Sequence, residues 1–205
     1  AYWQHNYDKE GKELRAEFTV SSQSEDEKNY YSNQYFFPFA SIVPDNNWVN
    51  QIEHNQQATL DYVNPIGDDA KMELGYASSF IQQDIDFYTE NVNASTGKLE
   101  KNPFTSNRFK LNQQVHALYA TYSKTSNQFS YSLGLRTEQS FIESNLVTRD
   151  SIIKNQYVNL FPTIHLSYKL TKGELQLNYS KRVNRPEGDD LNPFPEYLDP
   201  INLRS

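Results

Sequence analysis

A period of two runs through most of this chain, and it limits the fold more than any other feature. In residues 128–136, Phe129, Tyr131, Leu133 and Leu135 share one parity, while Ser130, Ser132, Gly134 and Arg136 share the other. Residues 174–182 repeat the pattern, with Leu175, Leu177 and Tyr179 set against Gln176, Asn178, Ser180 and Arg182. Side chains alternate across a strand, so each segment is a strand with one apolar and one polar face. A Tyr or Phe stands on the apolar parity beside nearly every short turn. Membrane-spanning barrel strands carry aromatics there, at the lipid–water boundary. A soluble β-sandwich shows the same alternation with its apolar face on a core. The clustering of aromatics beside the short turns favours lipid.

Four short polar segments supply those turns: Asp8–Lys12, Asn64–Asp69, Lys124–Asn127 and Thr171–Gly173. Gly, Asn and Asp provide the positive φ that tight hairpins need. Longer polar stretches, 23–29, 44–50, 92–106 and 148–155, lie between them. The expected fold is all-β: an antiparallel up-and-down meander of about eight long strands, short turns at one end and long loops at the other. Such asymmetry belongs to outer-membrane barrels, with short periplasmic turns and longer outside loops. Runs of 15 or more residues between turns exceed the roughly 9–11 that a tilted strand needs to cross a bilayer. The alternation fades away from the turns, as in residues 138–145, so the distal halves are expected above the bilayer with both faces wet.

Bulk composition agrees. Mean hydropathy is −0.81, yet 14% of residues are aromatic, which is wrong for disorder. The net charge of −7 leaves no basic stripe for phosphates, so nucleic acid is not an expected partner. Cysteine is absent, which removes disulfides and thiolate chemistry. No apolar run is long enough for a transmembrane helix. Patterned sequence reaches both Ala1-Tyr2-Trp3 and Leu203-Arg204-Ser205, so the chain reads as an interior piece of a longer protein.

Several segments carry a family resemblance. Tyr7–Leu14 resembles a periplasmic hairpin in the barrel half of TonB-dependent receptors. Asp61–Gly67 followed by Met72–Tyr76 resembles the next hairpin, and Leu160–Tyr168 a later strand. Tyr179-Ser180-Lys181-Arg182-Val183-Asn184-Arg185-Pro186, then Leu191-Asn192-Pro193-Phe194 and Tyr197-Leu198-Asp199-Pro200, is similar to the outer-membrane β-barrel family of such receptors and related proteins. The resemblance implies that residues 1–205 are one partial barrel domain, an arc of a larger barrel. That barrel would close around an N-terminal plug, with TonB acting through the plug. The implied function is energised uptake of a nutrient of the siderophore, glycan or peptide class, at the cell outer membrane. Expected partners are outer-membrane lipid, the plug, the remaining strands and a surface lipoprotein or complex subunit. The rival readings are a cell-surface β-sandwich or lipocalin-like binding module, and a structural barrel subunit of an outer-membrane complex.

Signals for chemistry are sparse. His5, His54, His116 and His165 form no ligand pair and read as lumen-facing strand positions. Asp68-Asp69 reads as turn chemistry, and Asp189-Asp190 lacks calcium-loop spacing. No nucleophile elbow or phosphate loop occurs, so neither enzymatic activity nor a cofactor is expected. Asp61, Arg136, Glu138, Lys169 and Arg182 fall on the polar parity and are candidates to line a lumen. Tyr30, Tyr31, Tyr35 and Phe37, far from the short turns, are candidate ligand-contact aromatics. Tyr62, Tyr76, Tyr122 and Phe129 are candidate girdle residues, as are Tyr131, Tyr168 and Tyr179.

Overall fold

The computed structural model describes residues 1–38, 40–183, 191, 192, 194, 196–197 and 203–204. Among these, nine strands form one antiparallel sheet: β1 (Tyr2–Asn6), β2 (Glu13–Tyr35), β3 (Ser41–Ile66), β4 (Ala70–Val92), β5 (Leu99–Lys101), β6 (Asn107–Ser126), β7 (Phe129–Leu146), β8 (Ser151–Leu170) and β9 (Gly173–Ser180). Eight pair in the order β1-β2-β3-β4-β6-β7-β8-β9, and β5 adds to the far end of β4. A two-stranded ribbon, β10 (Glu196–Tyr197) with β11 (Leu203–Arg204), stands apart. Among the described residues β1 and β9 do not pair with each other, so the sheet is an open arc.

All four short turns form where the turn residues predict, and Gly11, Gly67 and Asn127 take the left-handed backbone they require. Two of the four long loops do not form, and a third, 148–155, shrinks to a short reversal because residues 151–155 already belong to β8. Residues 23–29 and 44–50 are strand, paired with each other from Gln23↔Glu53 to Asn29↔Asn47. The chain reverses instead between Tyr35 and Ser41. Cross-strand pairing satisfies the backbone there even though few side chains are apolar.

The turns step along the register. From hairpin to hairpin they advance three residues, then two, then two. Seven residues accumulate over six strand spacings, so at roughly 3.3 Å per residue and 4.8 Å per strand the turns share a plane only if strands tilt by roughly 40°. Transmembrane barrel strands tilt by about 35–45°.

One face near the turns is apolar and exposed. Leu60, Leu74, Leu118, Leu133, Leu135, Leu160, Ile164, Leu175 and Leu177 all show their side chains to the surroundings. Farther from the turns the pattern does not fade; it changes sides. In β7, Leu133 and Leu135 lie on one face, whereas Ile142 and Leu146 lie buried on the other. In β6 the exchange falls between Val115 and Leu118, with register unbroken across it. Ile85, Phe109, Leu111, Ile142 and Leu146 then form a pad on the otherwise polar face. Phe194 covers it, with Leu191 and Tyr157 packed alongside and the Arg149 guanidinium 4.8 Å from the Phe194 ring centre. Lipid surrounds the turn-proximal half, so apolar groups turn outward. Protein fills the inner side of the distal half, so there they turn inward.

Charges occupy the outward face of that distal half. Arg108 donates two hydrogen bonds to Asp84, at 3.0 and 2.9 Å, and Lys110 lies 2.9 Å from the same carboxylate. The Arg108 hydrogen bonds hold Asp84 below the usual carboxylate range despite partial burial, and Lys110 adds to the effect. A depressed pKa means stability that is present above the ordinary carboxylate pKa and is lost as pH falls through the folded value. On acidification below about pH 4, the thermal midpoint is expected to fall less steeply in Asp84→Asn than in the parent.

Candidate functional site

The most organised polar cluster lies at mid-height on the face opposite the exposed leucines. Gln4, Arg15, Asp61, Gly75, Tyr119, Arg136 and Phe161 occupy one continuous register row across seven strands. Arg15 reaches Asp61 at 3.4 Å, and the Tyr119 hydroxyl donates to the other Asp61 oxygen. Gly75 separates Asp61 from Tyr119. Having no side chain, it lets the phenol ring lie across its strand, and an added Cβ would fall inside that ring. The Arg136 guanidinium then sits 5.4 Å from the Tyr119 ring centre and donates to Glu138 at 2.6 Å. Charge, ring, charge and carboxylate thus alternate along the row. A cleft of about 480 Å³ opens beside it, lined by Thr121, Thr163, His165, Lys181 and Arg182 as well as Arg136 and Glu138.

Gly75→Val is expected to displace Tyr119 from Asp61 and cost about 1–3 kcal/mol, the range for overpacking. In a Tyr119→Ala background the same change should cost much less. Denaturant titration of the four variants measures the coupling, and strictly additive costs would count against this geometry.

The five polar candidates share this face but not one cluster. Asp61 and Arg136 stand in the row, and Glu138 is tied to it through Arg136 from one row beyond; Arg182 borders the cleft; Lys169 lies near the last turn, opposite Glu174. Sequence reasoning missed Arg15 and Tyr119. Arg15 stands on the polar parity of β2 and was readable there. Tyr119 passes for an apolar residue, and its one signal is standing out of phase with Leu118, Ala120 and Tyr122.

The aromatics divide into two belts. Tyr62, Tyr122, Phe129, Tyr131 and Tyr168 lie close to the turns, with edge or tilted contacts between Tyr7 and Tyr62, Tyr122 and Tyr131, and Phe129 and Tyr131. Tyr179 is farther up β9, opposite Ile164. Tyr76 leaves the turn-side group. It stacks on His116, hydrogen-bonds the His116 Nδ1 at 2.8 Å, and joins Phe80 and Phe141 around that ring. Aromatics are therefore not confined to the turn side. Phe80 and His116 lie ten residues from their turns, roughly 25 Å up a strand tilted by about 40°, the height of the apolar band of a transmembrane barrel.

The ligand-contact aromatics do not form one surface. Tyr30 shares the outward parity with Trp48, with ring centres 6.1 Å apart, while Tyr31 and Tyr35 point to the opposite face and Phe37 stands exposed in the reversal. The histidines also correct the expectation of lumen-facing positions. His5, His54 and His116 lie on the outward parity, and only His165 lies on the polar face, bonded to Asn178 at 2.9 Å. Asp189, Asp190, Arg185 and Pro186 fall outside the described residues.

Comparison with known proteins places this geometry. The chain matches the outer membrane protein beta-barrel family over residues 5–205. Its fold is similar to the unliganded ferric citrate transporter FecA, with a TM-score of 0.58 at 13% identity over 86% of this chain. The chain spans 25% of that transporter's length. No curated protein matches it. A tilted antiparallel arc, apolar outside and polar inside near its turns, is a section of outer-membrane wall, and the chain belongs to the outer membrane protein beta-barrel family.

Proposed function

We propose that the chain is a section of wall from a TonB-dependent outer-membrane receptor that takes up a scarce or bulky nutrient. The observation that carries this is the Arg15–Asp61–Tyr119–Arg136 row with Glu138 one row beyond, which stands at the height where the opposite face is Leu60, Leu118 and Leu160. A wall between lipid and a plug-filled or watery interior needs such a contrast. Asp61, Arg136, Glu138, Lys169 and Arg182 line that interior, where they meet the plug or the passing solute. The hairpin resemblances in Tyr7–Leu14 and Asp61–Tyr76 support the energised class, with TonB acting through the plug. The cargo is a siderophore, glycan or peptide, and an accessory surface lipoprotein would meet the outer ends. This reading assigns the chain no reaction and no cofactor.

The test uses the full-length protein in its own outer membrane. Deletion is expected to abolish accumulation of one bulky nutrient, and a protonophore should reproduce the loss. Unchanged uptake across nutrient classes, with loss of a stable multiprotein complex, would make the chain a structural barrel instead.

A further inference from the structure

The outward face changes character row by row. Leu60, Tyr76, Leu118, Thr137 and Leu160 form one register row. The next outward-facing row is Ala58, Ser78, His116, Gln139 and Val158, followed by Gln56, Phe80, Gln114, Phe141 and Gln156. Beyond it come His54, Gln82, Asn112, Glu143 and Lys154. Side-chain amides therefore concentrate in a band immediately beyond the apolar wall.

Three features of that band point to a ligand. First, Gln82, Asn112, Gln114 and Gln156 make no side-chain hydrogen bond among the described residues and border a groove of about 570 Å³ with Phe141. Second, the charges beside them are matched: Lys154 pairs with Glu143 at 2.8 Å, and the two cations Arg108 and Lys110 are balanced by Asp84, which both contact, and by Asp86, the register partner of Arg108. A phosphate would find no surplus cation, whereas neutral hydroxyls would find donors and acceptors in the amides and an apolar ring face in Phe141. Third, an apolar groove of about 540 Å³ runs below on the same wall, between Leu60, Leu74, Leu118 and Leu135. The amide band is thus continuous with the lipid-facing surface.

We infer that this face holds a neutral glycolipid of the outer leaflet, its sugar hydroxyls on Gln82, Asn112, Gln114 and Gln156 and its acyl chains along the leucine groove. Burial of the chains gives affinity, and the amides give headgroup preference. The inference is independent of uptake, because lipid retention is measured without cargo, plug or TonB.

The test is native mass spectrometry of the full-length protein released from nanodiscs of phosphatidylethanolamine containing glucosyl-diacylglycerol or, in a parallel arm, phosphatidylglycerol. Glucosyl-diacylglycerol is expected to stay bound in preference to both phospholipids. Gln82→Ala combined with Gln114→Ala should lower that retention about tenfold, as the loss of two hydrogen-bonding amides implies. Gln156→Ala, on β8 across Phe141 of β7, should lower it in the same direction. Far-UV circular dichroism checks that each variant keeps its sheet. Equal retention of all three lipids, full retention by the folded variants, or displacement by free glucose would overturn the inference.

Discussion

Leu118→Arg is expected to destabilise the folded barrel in a bilayer by about 1–3 kcal/mol, because Leu118 lies on the lipid face between the midplane, where a cation costs about 2–4 kcal/mol, and the outer interface, where it costs about 0–1. Leu118 is 61% exposed in the middle of β6, flanked on neighbouring strands by Tyr76 and Thr137. In water, arginine at so exposed a position would be harmless. In lipid it loses its hydration, and no acidic side chain of the same face lies in its register row. Gln114→Arg, four residues along the same strand and face, reaches the amide band and is expected to cost little, because charge penalties fall toward the interface. Denaturant titration of full-length protein in phospholipid vesicles compares the two. Equal costs would mean that the apolar face does not meet lipid.

The second large effect lies on the opposite face. Phe109→Ala is expected to cost about 3–5 kcal/mol, because Phe109 is fully enclosed and its removal leaves a cavity among Ile85, Leu111, Leu146 and Phe194. The loss should be local. Hydrogen exchange is expected to accelerate at the distal ends of β4, β6 and β7, while the turn-proximal halves keep their protection. An unchanged exchange map would show that Phe194 does not seal this pad.

The two substitutions bracket what could be read in advance. The strands, the four turns and the outward leucines follow from local rules: period two, turn chemistry and the aromatic bias beside turns. Residues 23–29 and 44–50 read as loops because charge and amide content stood in for structure. Their pairing partner lies on the next strand, and composition carries no register. The alternation in 138–145 looked faded for a related reason. Phe141 and Ile142 are neighbours on opposite faces at the height where the surroundings change, so two clean patterns of opposite phase overlap there. The charged row was legible only in part. Asp61, Arg136 and Glu138 showed themselves by parity, but their union through Tyr119 depends on Gly75, a residue whose contribution is an absent side chain.

The stepped turns carry a consequence for how such a wall closes. Each hairpin adds two or three residues of shear along with two strands of circumference. Strand number, diameter and tilt are linked in a closed barrel. A hairpin therefore cannot be removed or duplicated as a neutral module. Losing one would narrow the ring and subtract its share of shear together, leaving the slope nearly constant while the bore contracts. Wall of this kind can change gauge by whole hairpins without rebuilding the surface that each strand shows to the bilayer.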